Sequence, residues 1–213
     1  IIGGGFAGLA TACGLAAAGQ RGILFEQEPI CGAHASGRNA GMFRLADDDP
    51  LLRAMAGRTL RLLGAPSMAQ TFQRTGGLTL AGESGAAALA RRAAAMRREG
   101  VAVELLSWRR ARRRFPELCH FQGELVLWCP DEGVIDVHAL LTEYRRAALE
   151  GGLSIRTRYH VDEVTWAAGR VSGVRAGDSE VRAPRVVDAS GAWAGRLSAR
   201  HGEPPRFQPL RRH

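Results

Sequence analysis

Apolar residues change period several times along the chain, and each change marks an element. Ile1-Ile2 end an apolar strand, residues 3–8 are a glycine turn, and residues 9–18 are small and apolar, as a helix packed on a sheet must be. Gly19 stops that helix, and Gly22-Ile23-Leu24-Phe25-Glu26 is a second apolar strand ending in a carboxylate. This order predicts a βαβ start. A Gly/Ala/Ser-rich loop follows over residues 31–45. Residues 50–73 carry mostly helical spacing, broken near Gly64-Ala65-Pro66. Strands are predicted at 78–80, 101–106 and 125–128, with an Ala- and Arg-rich helix over 85–99. Ser107 and Pro116 bracket a short amphipathic helix, and Asp136 is placed to cap another that runs to Glu150. Residues 153–156 read as a strand. From 159 to 182 the period becomes two, with turns at Gly169-Arg170 and Gly177-Asp178, which predicts a three-stranded antiparallel meander. Residues 185–189 read as a buried strand, and Ser190-Gly191-Ala192 opens a last helix. The fold class is therefore α/β, a Rossmann-like domain carrying an antiparallel meander.

Composition narrows the function classes. The net charge of +8 would suit nucleic acid, but every one of the 29 basic residues is Arg, and Ala and Gly abound, a pattern of coding bias more than of a selected face. The run from Arg109 to Arg114 is read as a solvated helix face, and 6% aromatics are too few for base stacking, so no nucleic-acid partner is expected. Cys13, Cys31, Cys119 and Cys129 form no CxxC pair, so neither a disulfide frame nor a metal site is expected and a cytoplasmic setting is the default. No apolar run approaches the roughly 18 residues of a membrane span.

Gly3-Gly4-Gly5-Phe6-Ala7-Gly8 fits G-x-G-x-x-G. Gly3 permits the tight turn, Gly5 lets backbone approach a pyrophosphate, and Gly8 lets the helix pack close to its strand. The helix N-terminus then offers amides and partial positive charge to phosphates. Glu26 stands at the end of the next strand, the place of a ribose-binding carboxylate, which favours FAD or NAD over a phosphorylated ribose. A plain NAD domain would continue with alternating strands and helices. Instead Gly32-Ala33-His34-Ala35-Ser36-Gly37-Arg38-Asn39-Ala40-Gly41-Met42 supplies small residues and backbone donors suited to a longer cofactor, FAD.

With these residues the chain resembles the D-amino-acid oxidase superfamily, which includes glycine oxidase, sarcosine oxidase and D-amino-acid dehydrogenase. Asp131-Glu132-Gly133-Val134-Ile135-Asp136, Val161-Asp162-Glu163-Val164 with Gly169-Arg170-Val171, and Val186-Val187-Asp188-Ala189-Ser190-Gly191-Ala192-Trp193 carry the rest of the resemblance, in the family's order. Two positions depart from it: Asp188 stands where Asn is common, and Val134-Ile135-Asp136-Val137 lacks the usual proline. The resemblance implies four segments: FAD-binding over 1–48, a contribution to a substrate domain over 49–130, FAD-binding again over 131–200, and the start of a substrate-domain sheet over 201–213. It implies that Gly3, Gly5, Phe6, Ala7 and Gly8 meet the pyrophosphate, and that Glu26 and Gln27 hold the adenosine ribose. Ala35, Ser36, Ala40, Gly41 and Met42 would contact pyrophosphate and flavin. Val161 would meet the adenine through its backbone, and Gly191 would let backbone approach the cofactor.

It further implies oxidation of the C–N bond of an amino acid or secondary amine by hydride transfer to flavin N5, with O2 or a quinone-type acceptor taking the electrons. His34 is read as a loop histidine, with covalent flavin attachment as the lesser alternative. Arg44 is read first as a structural ion pair and second as the catalytic-site clamp of a substrate carboxylate. The family's later substrate-domain elements are not in the sequence, so the chain is expected to be an incomplete copy that binds FAD poorly. A flavoprotein domain of a tRNA-modifying enzyme and a non-catalytic FAD-binding subunit stay open as alternatives.

Overall fold

The computed structural model describes residues 1–199; the expected sheet start over 201–213 lies outside them. In chain order the helices and strands are α1 (Phe6–Ala17), β1 (Ile23–Phe25), β2 (Met42–Phe43), α2 (Pro50–Leu63), β3 (Phe72–Gln73), β4 (Gly77–Ala81), α3 (Glu83–Arg98), β5 (Glu104–Ser107), α4 (Trp108–Arg114), β6 (Leu125–Cys129), β7 (Gly133–Ile135), α5 (Val137–Glu150), β8 (Ser154–Arg156), β9 (Glu163–Ala167), β10 (Arg170–Ala176), β11 (Ser179–Arg182) and α6 (Ala194–Ala199). They form two compact units: residues 1–39 with 137 onward, and residues 40–136.

In the first unit β1 pairs with β8 in parallel, and Ile2 bridges both Phe25 and Asp188, also in parallel. Segments from four distant parts of the chain thus lie side by side with their carboxyl ends together. In such sheets the crevice beyond those ends is where ligands bind. α1 packs on α5 over a core of Leu9, Ala12, Leu24, Leu141, Ala148 and Leu153. Fully burying one of these leucines contributes about 2 kcal/mol. Their contact is close, because a Cβ on Gly151 would lie 2.4 Å from that of Ala16. The predicted meander is present in the order β11-β10-β9, with a bulge between Val171 and Gly173. It packs through Val174 on Ile2, Phe25, Val161 and Leu197, a second core beneath the parallel segments.

The second unit holds two antiparallel sheets, β4-β6-β5 and β2-β7-β3. The basic run 109–114 is helical as expected: Ser107 caps α4, and Arg110 and Arg114 pair with Glu104. Arg53 is buried in α2 and satisfied by Glu99 and by the carbonyl oxygens of Asp47 and Asp48.

Local differences from the sequence expectations have physical causes. α1 begins at Phe6 and not at residue 9, because Gly5 is its N-cap and Phe6-Ala7-Gly8 already belong to its first turn. Phe72-Gln73 are strand and not helix, because they pair with β7, where Phe72 meets Phe43 edge-on. Residues 101–103 are not strand: the Val101 amide donates back to Met96 and finishes α3. Segment 185–189 is not a buried strand. Among the described residues it makes one bridge, Asp188 to Ile2, and Val187 is 39% exposed. No helix among the described residues is long and apolar enough to cross a membrane.

Candidate cofactor site

The glycine turn sits where the parallel segments end. Gly3 has φ +101°, a backbone conformation that favours glycine, and a Cβ there would lie 2.4 Å from the Ala189 carbonyl oxygen. A Cβ on Gly8 would lie 1.8 Å from the Gly3 carbonyl oxygen. Both positions are closed by backbone, which cannot move aside, so only glycine fits. At Gly5 a Cβ would meet the Ser36 hydroxyl at 2.8 Å, and that hydroxyl accepts from the Phe6 amide at 2.9 Å. Ser36 therefore supplies the side-chain acceptor that Gly5, as N-cap, lacks.

Glu26 is buried directly under this turn. One carboxylate oxygen accepts from the Gly4 amide at 2.7 Å, and the other accepts from the Glu28 amide at 2.9 Å. Tyr159 extends the site: its amide donates to the Glu26 carbonyl, and its ring stacks on Phe25 at 4.5 Å. Next to it, His160 and Gln27 are hydrogen-bonded at 3.0 Å.

These elements enclose a cavity of about 490 Å³. Gly3, Gly5, Phe6, Ala7, Glu26 and Gln27 line it from the opening strand–helix–strand. Ala35 and Ser36 line it from the following loop, and Val161 and Gly191 from the later segments. Gly8 is buried behind the turn and sets the packing of α1. Gly191 has φ +59° and open space around it, so the turn's conformation selects glycine there. Ala40, Gly41 and Met42 belong to the second unit, where the Gly41 carbonyl accepts from Ile135 and Met42 is 65% exposed beside Val134.

Arg44 also lies in the second unit. Its guanidinium donates to the Thr79 hydroxyl at 2.6 Å, and the expected ion pair is absent among the described residues. The acids that follow it closely in sequence are otherwise engaged: Asp48 holds Arg92, and Asp47 accepts from the Asp49 amide. His34 lines the cavity with its ring 4.7 Å from Trp193 and its Nε2 2.9 Å from Glu28. The departure at Asp188 is absorbed locally, since its carboxylate accepts from the amide and hydroxyl of Ser190. The missing proline is absorbed too: β7 ends at Ile135 and α5 starts at Val137.

Sequence patterns assigned no individual role to several residues of the cavity. Tyr159, Trp193, Arg38 and Arg196 line it. Their neighbours are set by long-range packing that no local period encodes. Trp193 had one signal, its place after Ser190-Gly191-Ala192.

The family model described as FAD dependent oxidoreductase, DAO, matches residues 1–213. The chain belongs to this family. The family's cofactor is FAD, and the lining suits an adenine dinucleotide in kind: a glycine turn, the N-terminus of α1 and a buried carboxylate meet at one cavity. In sequence the chain is 27% identical over 207 residues to a 4-methylaminobutanoate oxidase (formaldehyde-forming) of Paenarthrobacter nicotinovorans, covering 95% of this chain and 25% of that one. In structure it matches glycine oxidase from Geobacillus kaustophilus with a TM-score of 0.81 at 26% identity, over 94% of this chain and 57% of that one. L-proline dehydrogenase from P. horikoshii matches at 0.85 with 23% identity, over 94% of this chain and 54% of that one, and shows the shared fold. The chain thus spans about a quarter of the curated relative and a little over half of these solved structures.

Proposed function

We propose that this DAO-family chain is the FAD-binding part of an oxidoreductase acting on the C–N bond of an amino acid or secondary amine. The observation that carries this reading is the Glu26 carboxylate held under the glycine turn at the head of the cavity, which supports a role on the ribose of a dinucleotide. Bound FAD would supply the hydride acceptor, flavin N5, and O2 or a quinone-type acceptor would then take the electrons.

The chain's own residues bind and orient. Gly3 and Gly8 keep the turn flat against its neighbours, so that Phe6 and Ala7 at the N-terminus of α1 line the cavity and a diphosphate can approach it. Gln27 and His160, linked across the cavity edge, flank the adenosine position. Val161 offers backbone to the adenine, and its side chain anchors that edge in the core. Arg44 is proposed to pair with a substrate carboxylate, since its guanidinium has a neutral hydroxyl partner and keeps its charge uncompensated.

The chain by itself is expected to bind FAD weakly, and a panel of D-amino acids and N-methyl amino acids is expected to bleach the flavin absorption of the assembled enzyme. Retention of FAD without bleaching by any amine would leave a binding subunit. Failure to bind FAD would end the proposal.

A further inference from the structure

We propose that Arg38 and Arg196 together clamp the cofactor's diphosphate, an inference that rests on the FAD-binding reading above. A diphosphate brings two negative charges into the cavity. The N-terminus of α1 offsets roughly half a unit charge. Two of the turn's amides are already committed, Gly4 to Glu26 and Phe6 to Ser36. The remaining charge calls for cationic side chains.

Arg38 and Arg196 both line the cavity, and they reach it from separate segments. Arg38 closes the short 3-10 turn Ala35–Gly37, whose Ser36 touches the first amide of α1. Arg196 lies on α6, and the next residue, Leu197, is buried with Ile2, Phe25 and Val161. Both backbones are thus tied to the turn while both side chains are exposed. Among the described residues neither guanidinium has an ion-pair partner. The cavity's acids have other acceptor duties: Glu26 holds two amides, and Asp162 accepts from the Gly177 amide. The lining histidines are engaged as well, His34 by Glu28 and His160 by Gln27. A guanidinium fork matches phosphate oxygens two at a time, and two forks from independent segments would fix the diphosphate's direction as well as its charge.

The test uses the full chain and measures binding of FAD, ADP and adenosine to the wild type, Arg38→Gln, Arg196→Gln, the double variant and the matching Lys variants. Each Gln substitution is expected to weaken FAD and ADP by about tenfold, because a charge-assisted hydrogen bond is lost. Adenosine binding is expected to stay unchanged. The Lys variants are expected to recover part of the loss, and added salt to weaken ADP less in the double variant than in the wild type. Thermal midpoints of the cofactor-free variants are expected to match the wild type, since both side chains are exposed. Unchanged FAD and ADP affinity in the double variant would overturn the clamp, as would an equal loss for adenosine. A wild-type chain that binds neither FAD nor ADP would instead remove the cofactor reading beneath it.

Discussion

Single residues in this protein are decided by burial and by what lies within hydrogen-bond reach. Cys129 is 1% exposed, and burial, then the nearby Glu132 charge, pushes its thiol from the ordinary 9.0 up to about 11. The folded chain therefore keeps a proton that the unfolded chain gives up between those values. Stability from this group is fully present below pH 9.0 and falls as pH rises towards about 11, by about 3 kcal/mol at most. Denaturant unfolding of wild type and Cys129→Ala is expected to show a stability difference that shifts against the wild type across this window and is constant below it. A constant difference throughout would contradict the assignment. The exposed Cys119 supplies an internal contrast, because its thiol is expected to react with a thiol reagent in the folded protein while Cys129 reacts only on unfolding.

At the scale of the element, α1 shows how one helix can hold a strict glycine and a free one. Gly8 and Gly14 both lie within Phe6–Ala17, yet a Cβ at Gly8 strikes the Gly3 carbonyl and one at Gly14 meets nothing within 4 Å. Gly8→Ala is expected to lower stability by about 3 kcal/mol, since the obstacle is backbone and must shift. Gly14→Ala is expected to raise it by about 0.5–1 kcal/mol through helix propensity. Thermal or urea unfolding of the two variants checks the pair, and equal effects would show that the close approach at the turn is not real. The helix was legible in the sequence because small apolar residues follow a glycine motif; that Ser36 would cap it was not, because the two partners are 30 residues apart.

At the scale of the whole molecule, distant chain segments are joined by buried polar groups more than by any local signal. Glu132 is 2% exposed, and one of its oxygens accepts from both the Leu45 and Ala46 amides at 2.7 Å. Its backbone carbonyl also accepts from the Gly76 amide. Removing the side chain leaves two buried donors unmet, at a cost of about 3 kcal/mol. Glu132→Ala is expected to speed hydrogen exchange at residues 45 and 46 and through the unit 40–136, with α1 in the other unit unchanged. Unaltered exchange at residues 45 and 46 would show that the carboxylate is not what holds them. In the sequence Glu132 was legible only as part of a family-like turn, because an acidic residue beside a glycine reads as solvent-facing until its partners are known.

The sequence by itself determined the glycine turn, the carboxylate 18 residues beyond Gly8, the change from helical to alternating period at the meander, and the family. Each depends on neighbours in the chain or on a fixed spacing, and periodicity and glycine stereochemistry act over such short ranges. Only the tertiary structure decided that Glu26 closes on the Gly4 amide, that Arg44 meets Thr79, and that Arg38 and Arg196 share one cavity. Those pairings follow from how strands and loops far apart in the chain are packed together, and the alternation of polar and apolar residues carries no record of which partner lies opposite.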